Sequence, residues 1–136
     1  MSTILLGSMI RKIKRLHVLV IIGALLPIPY GSFFLPLFYW WIRKKDKDNN
    51  YFNTQAKNIL NFQLLFSILG TIYLIFFWHY FIEVKIEKFN EINYEFLWYF
   101  IAIAIIVNIL YPIFIIIKMA IENKPRIYYP NIIHFF

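Results

Sequence analysis

LLPIPYGSFF, residues 25–34, interrupts a charge-free apolar run that is otherwise long enough to cross a bilayer, and it places two prolines and a glycine at the centre of that run. Whether the chain crosses here or dips in and returns decides which side of a membrane every later segment occupies. Proline fixes φ, lacks an N–H and pushes the residue before it out of the helical region, so Pro27, Pro29 and Gly31 supply a turn. The flanking segments, His17 to Leu26 and Phe33 to Ile42, each make about 15 Å of helix, enough to reach mid-bilayer but not to cross. The alternative is one proline-kinked span, which membrane helices tolerate when neighbours satisfy the freed backbone groups.

Charge separates the two. With 17–42 as a single span, the fourteen Lys and Arg divide as eight on one side against six on the other; with a reversal they divide as twelve against two. Lys and Arg collect on the cytoplasmic side, so the reversal is the expected arrangement. Backbone exposed at that depth needs protein or water around it, and the turn is therefore expected to pack against the longer helices rather than face lipid.

The rest of the composition agrees with a membrane setting. Of 136 residues 61% are hydrophobic, 21% aromatic and only 15% charged, outside the range of soluble globular chains. Three charge-free runs, Leu16 to Ile42, Asn58 to Ile82 and Phe96 to Ile117, number 27, 25 and 22 residues, each above the roughly 18–20 that a helix needs to cross hydrocarbon. The expected fold class is an all-α integral membrane protein of one domain with four helical segments. These are a broken, re-entrant hairpin at 17–42, a long helix at 51–82 that contains a span, an outer loop at 83–95 and a second span at 96–119. A cytoplasmic or interfacial tail follows at 120–136. RKIKR followed by LHVLVIIGALL imitates a signal peptide, but no small-residue cleavage site follows, so the segment is expected to be retained. Both termini are expected on the cytoplasmic face of the cell's inner membrane.

Polar residues within the apolar runs mark surfaces that face protein or water and not lipid. Asp48, Asn49 and Asn50 offer N-cap oxygens for the long helix. Gln55, Asn58 and Asn61 recur every three residues, with Gln63 close behind, and form a stripe on one side of that helix. Ser67 lies ten residues beyond Lys57 and Asn108 ten before Lys118, which puts the two at similar depth in antiparallel neighbours, with Gly70 and Thr71 level with Ala104. Small residues permit close approach and an amide bonds across to a hydroxyl, so a packing seam is the expected role. Pro112 is expected to bend the last run. IYY between two prolines reads as extended, with Tyr128, Tyr129, Phe135 and Phe136 suited to the headgroup layer or to folding back beneath the helices.

Little here supports chemistry. There is no cysteine, hence no thiol nucleophile, thiolate metal site or disulfide. The three histidines, His17, His79 and His134, fall at separated positions and build no three-ligand metal site. No nucleophile elbow or phosphate-cradling glycine loop occurs. The expectation is a protein without catalytic, metal or cofactor residues. The formal charge of +7 lies directly against apolar segments, which suits a basic collar on anionic lipid and not nucleic acid.

Three blocks in order, LPLFYWWIRKKD (35–46), QAKNILNFQLLFSI (55–68) and RIYYPNIIHFF (126–136), resemble the Tic20-like family of small bacterial membrane proteins, also called DUF4870. The positions that fall on its pattern are Pro36, Trp41, Lys57, Asn61, Phe62, Gln63 and Pro130. The resemblance implies four helical segments with both termini on one side. It also implies a membrane-protein partner or self-association, as in an accessory subunit of a protein-translocation or envelope complex. A small oligomeric pore or permease, suggested by the broken segment, and a membrane immunity or stress protein, suggested by size and charge, are the other readings.

Overall fold

The computed structural model describes residues 3–26, 30–44, 50–87, 95–122 and 135–136. The proline turn at Pro27 and Pro29, the cap residues Asp48 and Asn49, the loop at 88–94 and the tail at 123–134 with Pro130 lie outside the described residues. Everything described is helical or a turn, apart from the last two residues. Helix α1 runs Thr3–Leu25, α2 Gly31–Arg43 and α3 Asn50–Glu87; α4, Glu95–Ile105, passes through a π-helical turn at Ile106–Leu110 into α5, Tyr111–Glu122.

α1 begins at Thr3, well before His17, and takes in the whole RKIKR cluster. The reason is its periodicity. Met9, Ile13, Leu16 and Val20 fall on one face and are buried, whereas Arg11, Arg15, Val18 and Ile22 fall on the opposite face and are exposed. A charged cluster thus ends an apolar run in the sequence without ending the helix. α1 packs against Phe52, Ala56 and Ile59 of α3 and Ile115 and Met119 of α5, with Tyr39 and Trp40 of α2 resting on the same cluster. As residue numbers rise along α3 they fall along α4 and α5, so the two long helical runs are antiparallel.

α1 and α2 meet at their tips. Gly23 and Gly31 are both buried and lie backbone to backbone, with the carbonyl of each where the other's Cβ would stand. Tyr30 precedes α2 in the left-handed region, at φ 60°, an uncommon conformation for a large L-residue. Its hydroxyl bonds the Thr71 hydroxyl, and its ring meets Phe34 edge-on with centroids 6.4 Å apart. Pro36 lies inside α2 and is buried.

Pro112 does not end the last run. It lacks the N–H that would bond the carbonyl four residues back, and the helix widens just before it: the Tyr111 N–H bonds the Ile106 carbonyl, five residues away. The α-helix then resumes to Glu122.

Among the described residues two helices are long and apolar enough to cross a membrane: Tyr51–Glu83, with mean hydropathy 2.0, and Leu97–Glu122, with 2.8. Only 28% and 11% of their most apolar stretches are buried inside the protein, unlike the core helices of a water-soluble fold. The exposure is lopsided. Beside Phe52 to Leu60, α3 is enclosed by α1 and α5; beyond the Gly23–Gly31 tip α4 alone accompanies it among the described residues, and Ile75, Phe76 and Trp78 are exposed.

Candidate functional site

Three features remain once the core is set aside: the polar stripe of α3, a cleft above the α1–α2 tip, and two oppositely charged ends.

The stripe is buried throughout, with Gln55, Asn58, Asn61 and Gln63 between 0% and 7% exposed. Its members differ in what they bond. Gln55 Nε2 donates to Tyr51 Oη at 2.9 Å, one turn away. Asn61 Oδ1 accepts the backbone N–H groups of Phe135 and Phe136 at 2.9 and 3.1 Å, holding the far end of the chain against α3. The Phe136 ring lies 6.0 Å from both Phe33 and Trp40 between centroids. Gln63 is wholly buried, and neither its amide oxygen nor its nitrogen has a partner. Replacing Asn61 with leucine removes both acceptor contacts. The expected results are faster hydrogen exchange at the Phe135 and Phe136 amides and a loss of about 1–3 kcal/mol in stability. Unchanged protection at those two amides would show that Asn61 does not anchor them.

Ser67, Gly70, Thr71, Ala104 and Asn108 come together, but around a cleft of about 360 Å³ rather than in a closed seam. Its floor is the Gly23–Gly31 tip with Tyr30, its walls α3 and α4, and the π-turn carries Asn108 into its lining. The seam stays open because α1 and α2 stop at this level, and because Phe100 stacks on Tyr73, centroids 5.0 Å apart, spacing the long helices. The Thr71 hydroxyl donates to the Ser67 carbonyl at 2.9 Å, so the Tyr30 hydroxyl is the donor in the Tyr30–Thr71 bond. The buried Asn108 Oδ1 has no partner.

The ends of the molecule differ in net charge, although not in kind: residues 83–95 hold four Glu and two Lys, and Glu122 closes α5 at the basic end. At one end Arg11, Arg15, Lys44 and Lys57 are exposed. Lys44 Nζ lies 5.6 and 5.9 Å from the Trp40 and Trp41 ring centroids, Arg43 5.9 Å from Tyr39, and Lys118 5.8 Å from Phe114. Aromatic rings under cations are what a membrane interface collects. At the other end Glu83 and Glu95 are exposed, and His79 Nδ1 lies 3.1 Å from Glu83 Oε1. Among the described residues no three His, Cys, Asp or Glu converge to hold a metal ion.

Of the positions drawn from the three sequence blocks, Pro36, Asn61 and Gln63 are buried, Phe62 is half-buried on the core, Lys57 and Trp41 are exposed, and Pro130 lies outside the described residues. Sequence reasoning missed the Trp40 Nε1 bond to Asn53 Oδ1, 3.1 Å, which ties α2 to the start of α3. It also missed Tyr30. Nothing in a YWW run distinguishes the tryptophan that turns inward, whereas a tyrosine beside a glycine after two prolines does signal a turn.

These features define the class: a protein whose described residues are helical, with two helices of membrane-crossing length and a buried polar stripe on one of them. Residues 13–136 match the magnetosome magnetite crystal formation protein family, MamF/MmsF, and the chain belongs to that family. No curated protein and no solved structure matches it. The family match corrects the resemblance drawn from the blocks at 35–46, 55–68 and 126–136: the chain is assigned to MamF/MmsF and not to the Tic20-like or DUF4870 proteins. The accessory role in protein translocation falls with that resemblance, and the pore and immunity readings have no support in the family found. The blocks misled because their content is generic to small membrane helices. An aromatic stretch ending in lysines marks an interface, and amides at a helix entry mark a protein-facing side.

Proposed function

We propose that the chain is a multi-pass membrane protein that takes part in magnetite crystal formation without catalysis, by presenting a carboxylate-bearing end to the compartment where the mineral grows. The observation that carries this reading is the separation of charge along α3, from exposed Lys57 near its start to exposed Glu83 near its end. In the sequence Glu83, Glu87, Glu91 and Glu95 follow at intervals of four across the connection between α3 and α4. Carboxylate oxygens are hard ligands suited to metal cations, and an array of them meets iron ions or a mineral face without being a closed coordination site. The basic end, with its lysines over aromatic rings, lies in the anionic headgroup layer on the cytoplasmic side, together with both termini. The α1–α2 hairpin enters from that side and turns back beside Ser67 and Thr71.

The test uses the full chain in liposomes. The protein contains no cysteine, so Gly7→Cys and Glu91→Cys each report one position to an impermeant maleimide. Labelling from opposite sides is expected; labelling from the same side would end the proposed topology. Ferrous and ferric salts are then coprecipitated against vesicles whose acidic end faces outward, and particle sizes are measured by electron microscopy. Wild type is expected to shift the size distribution from that of bare vesicles, and a variant with Glu83, Glu87, Glu91 and Glu95 all changed to glutamine is expected to restore the bare-vesicle distribution. A quadruple variant that performs as wild type would overturn the role of the acidic end.

A further inference from the structure

Given the membrane placement proposed above, the two leaflets meet very different cross-sections of this protein. On the basic side α1, α2, α3 and α5 share one core, from Met9 and Ile13 of α1 to Phe52 of α3 and Met119 of α5. The α1–α2 hairpin then stops at Gly23 and Gly31, beside Ser67 and Thr71 near the middle of α3, and beyond it α3 and α4 alone continue among the described residues. Burial follows the same division: no described residue of α3 after Gln63, and none of α4, is buried. The hairpin's outward surface suits lipid. On α1 the exposed face changes from Arg11 and Arg15 to Val18 and Ile22, and on α2 Phe34, Phe38 and Trp41 are exposed ahead of exposed Lys44. That change from cation to hydrocarbon marks the headgroup level, and from Arg15 to Gly23 α1 descends about 12 Å, less than half of the roughly 30 Å of hydrocarbon. The hairpin is also tied in place: its tips are in backbone contact, the Tyr30 hydroxyl bonds Thr71, and Trp40 Nε1 donates to Asn53 Oδ1 at 3.1 Å.

Resting on that placement, we propose that the chain is a wedge that favours curved membrane: its four-helix half widens the leaflet on the basic side, its two-helix half leaves the opposite leaflet narrow, and the bilayer bows toward the basic side. A helix with its side chains is about 10–12 Å across, so two additional helices take up roughly 160–230 Å² more of one leaflet than of the other. A bilayer relieves unequal leaflet areas by bending, with the wider leaflet on the outside of the curve. Amphipathic helices lying in one interface swell a leaflet in the same way, and their binding depends on curvature. Here the inserted element is locked to a spanning helix, so the expansion is not shed by dissociation. The space that such a membrane curves around lies on the side of Glu83 and Glu95, the end proposed to meet the mineral. Because the wedge is made by packing and not by charge, it acts in neutral lipid.

The experiment places the full chain in giant vesicles of neutral phosphatidylcholine, from which a narrow membrane tube is pulled outward, so that the outer leaflet is the convex one. Reconstitution leaves molecules in both orientations, and an impermeant fluorescent maleimide added outside selects between them. It marks Gly7→Cys molecules whose basic side faces out, or Glu91→Cys molecules whose acidic side faces out. Protein fluorescence in the tube relative to the vesicle is divided by the same ratio for a lipid dye. The quotient is expected above one for Gly7→Cys, rising as the tube narrows, and below one for Glu91→Cys. The two are expected to differ roughly twofold, since poor fit to a bilayer sorts proteins on a modest energy scale. Equal quotients for the two labels at every tube radius, or the reverse order, would overturn the wedge, and neither result depends on a destabilising variant. The double variant with both cysteines checks the placement in the same vesicles by mass spectrometry. One label per molecule puts the two positions on opposite sides, so that equal sorting then sinks the wedge alone; two labels on some molecules and none on others sink the topology, and the wedge with it.

Discussion

Gly23→Ala is expected to unfold the α1–α2 hairpin, at a cost at or above the roughly 1–3 kcal/mol of ordinary overpacking. The new Cβ falls on the Gly31 carbonyl and the Ser32 nitrogen, all backbone atoms, so no rotamer change relieves it and the helices must separate. Gly31→Ala meets the reciprocal obstacle, the Gly23 carbonyl. Two other glycines give an internal scale. At Gly70 an added Cβ meets only Phe100 Cε2 and Cζ, each at 3.3 Å, the far end of a ring that can shift, so Gly70→Ala is expected to cost little. At Gly7 nothing lies within 4 Å, and alanine there gains up to about 1 kcal/mol from helix propensity. Thermal unfolding of the four alanine variants in one detergent should therefore rank Gly7→Ala highest, Gly70→Ala near wild type, and Gly23→Ala and Gly31→Ala far below. If Gly23→Ala melts with Gly70→Ala, the tips do not touch as described.

That contact also shows how far the sequence could be read. Its helical character and the two long apolar helices were legible, because charge-free length is a local pattern; the spacing of Gln55, Asn58, Asn61 and Gln63 marks one side of α3 but does not say whether protein or water meets it. Equal depth of Ser67 and Asn108 was legible by counting from basic ends. That the space between them stays open was not, because it depends on where α1 and α2 stop and on the Tyr73–Phe100 stack, neither of which leaves a mark in composition. The start of α1 at Thr3 differs from the expected start at His17 for a definite reason: the RKIKR charges end the apolar run, but their spacing keeps Ile13 and Leu16 on the buried face and the helix runs through them. The π-turn before Pro112, in the run expected to bend there, left no mark in the sequence beyond the proline itself. The Asn61 contacts with Phe135 and Phe136 join residues more than seventy positions apart, and no local signal announces such a pair. The family assignment failed where motif content was generic to membrane interfaces.

Gln63→Met is expected to stabilise the protein, by about 2 kcal/mol, although it removes a buried polar residue from a stripe whose other members hold the fold together. The sign follows from partners and not from burial. Gln63 is 0% exposed with neither amide atom bonded, so the folded state carries the desolvation of both groups with nothing in return, about 1–3 kcal/mol for each unsatisfied group. Methionine keeps nearly the same length and helix propensity, fills the same space and removes that cost. Gln55→Met, one face and two turns away, is the opposing case: it is almost equally buried, but its Nε2 bond to Tyr51 is lost, and the expected change is a destabilisation of about 1 kcal/mol. Thermal unfolding of the two variants against wild type should move in opposite directions. The contrast is sharper in a membrane setting, where burying apolar surface between helices contributes little and unmet polar groups weigh more. A destabilised Gln63→Met would mean that a water or ion satisfies that amide, and the stripe would then reach the floor of the cleft as a connected polar network in place of four separate side chains.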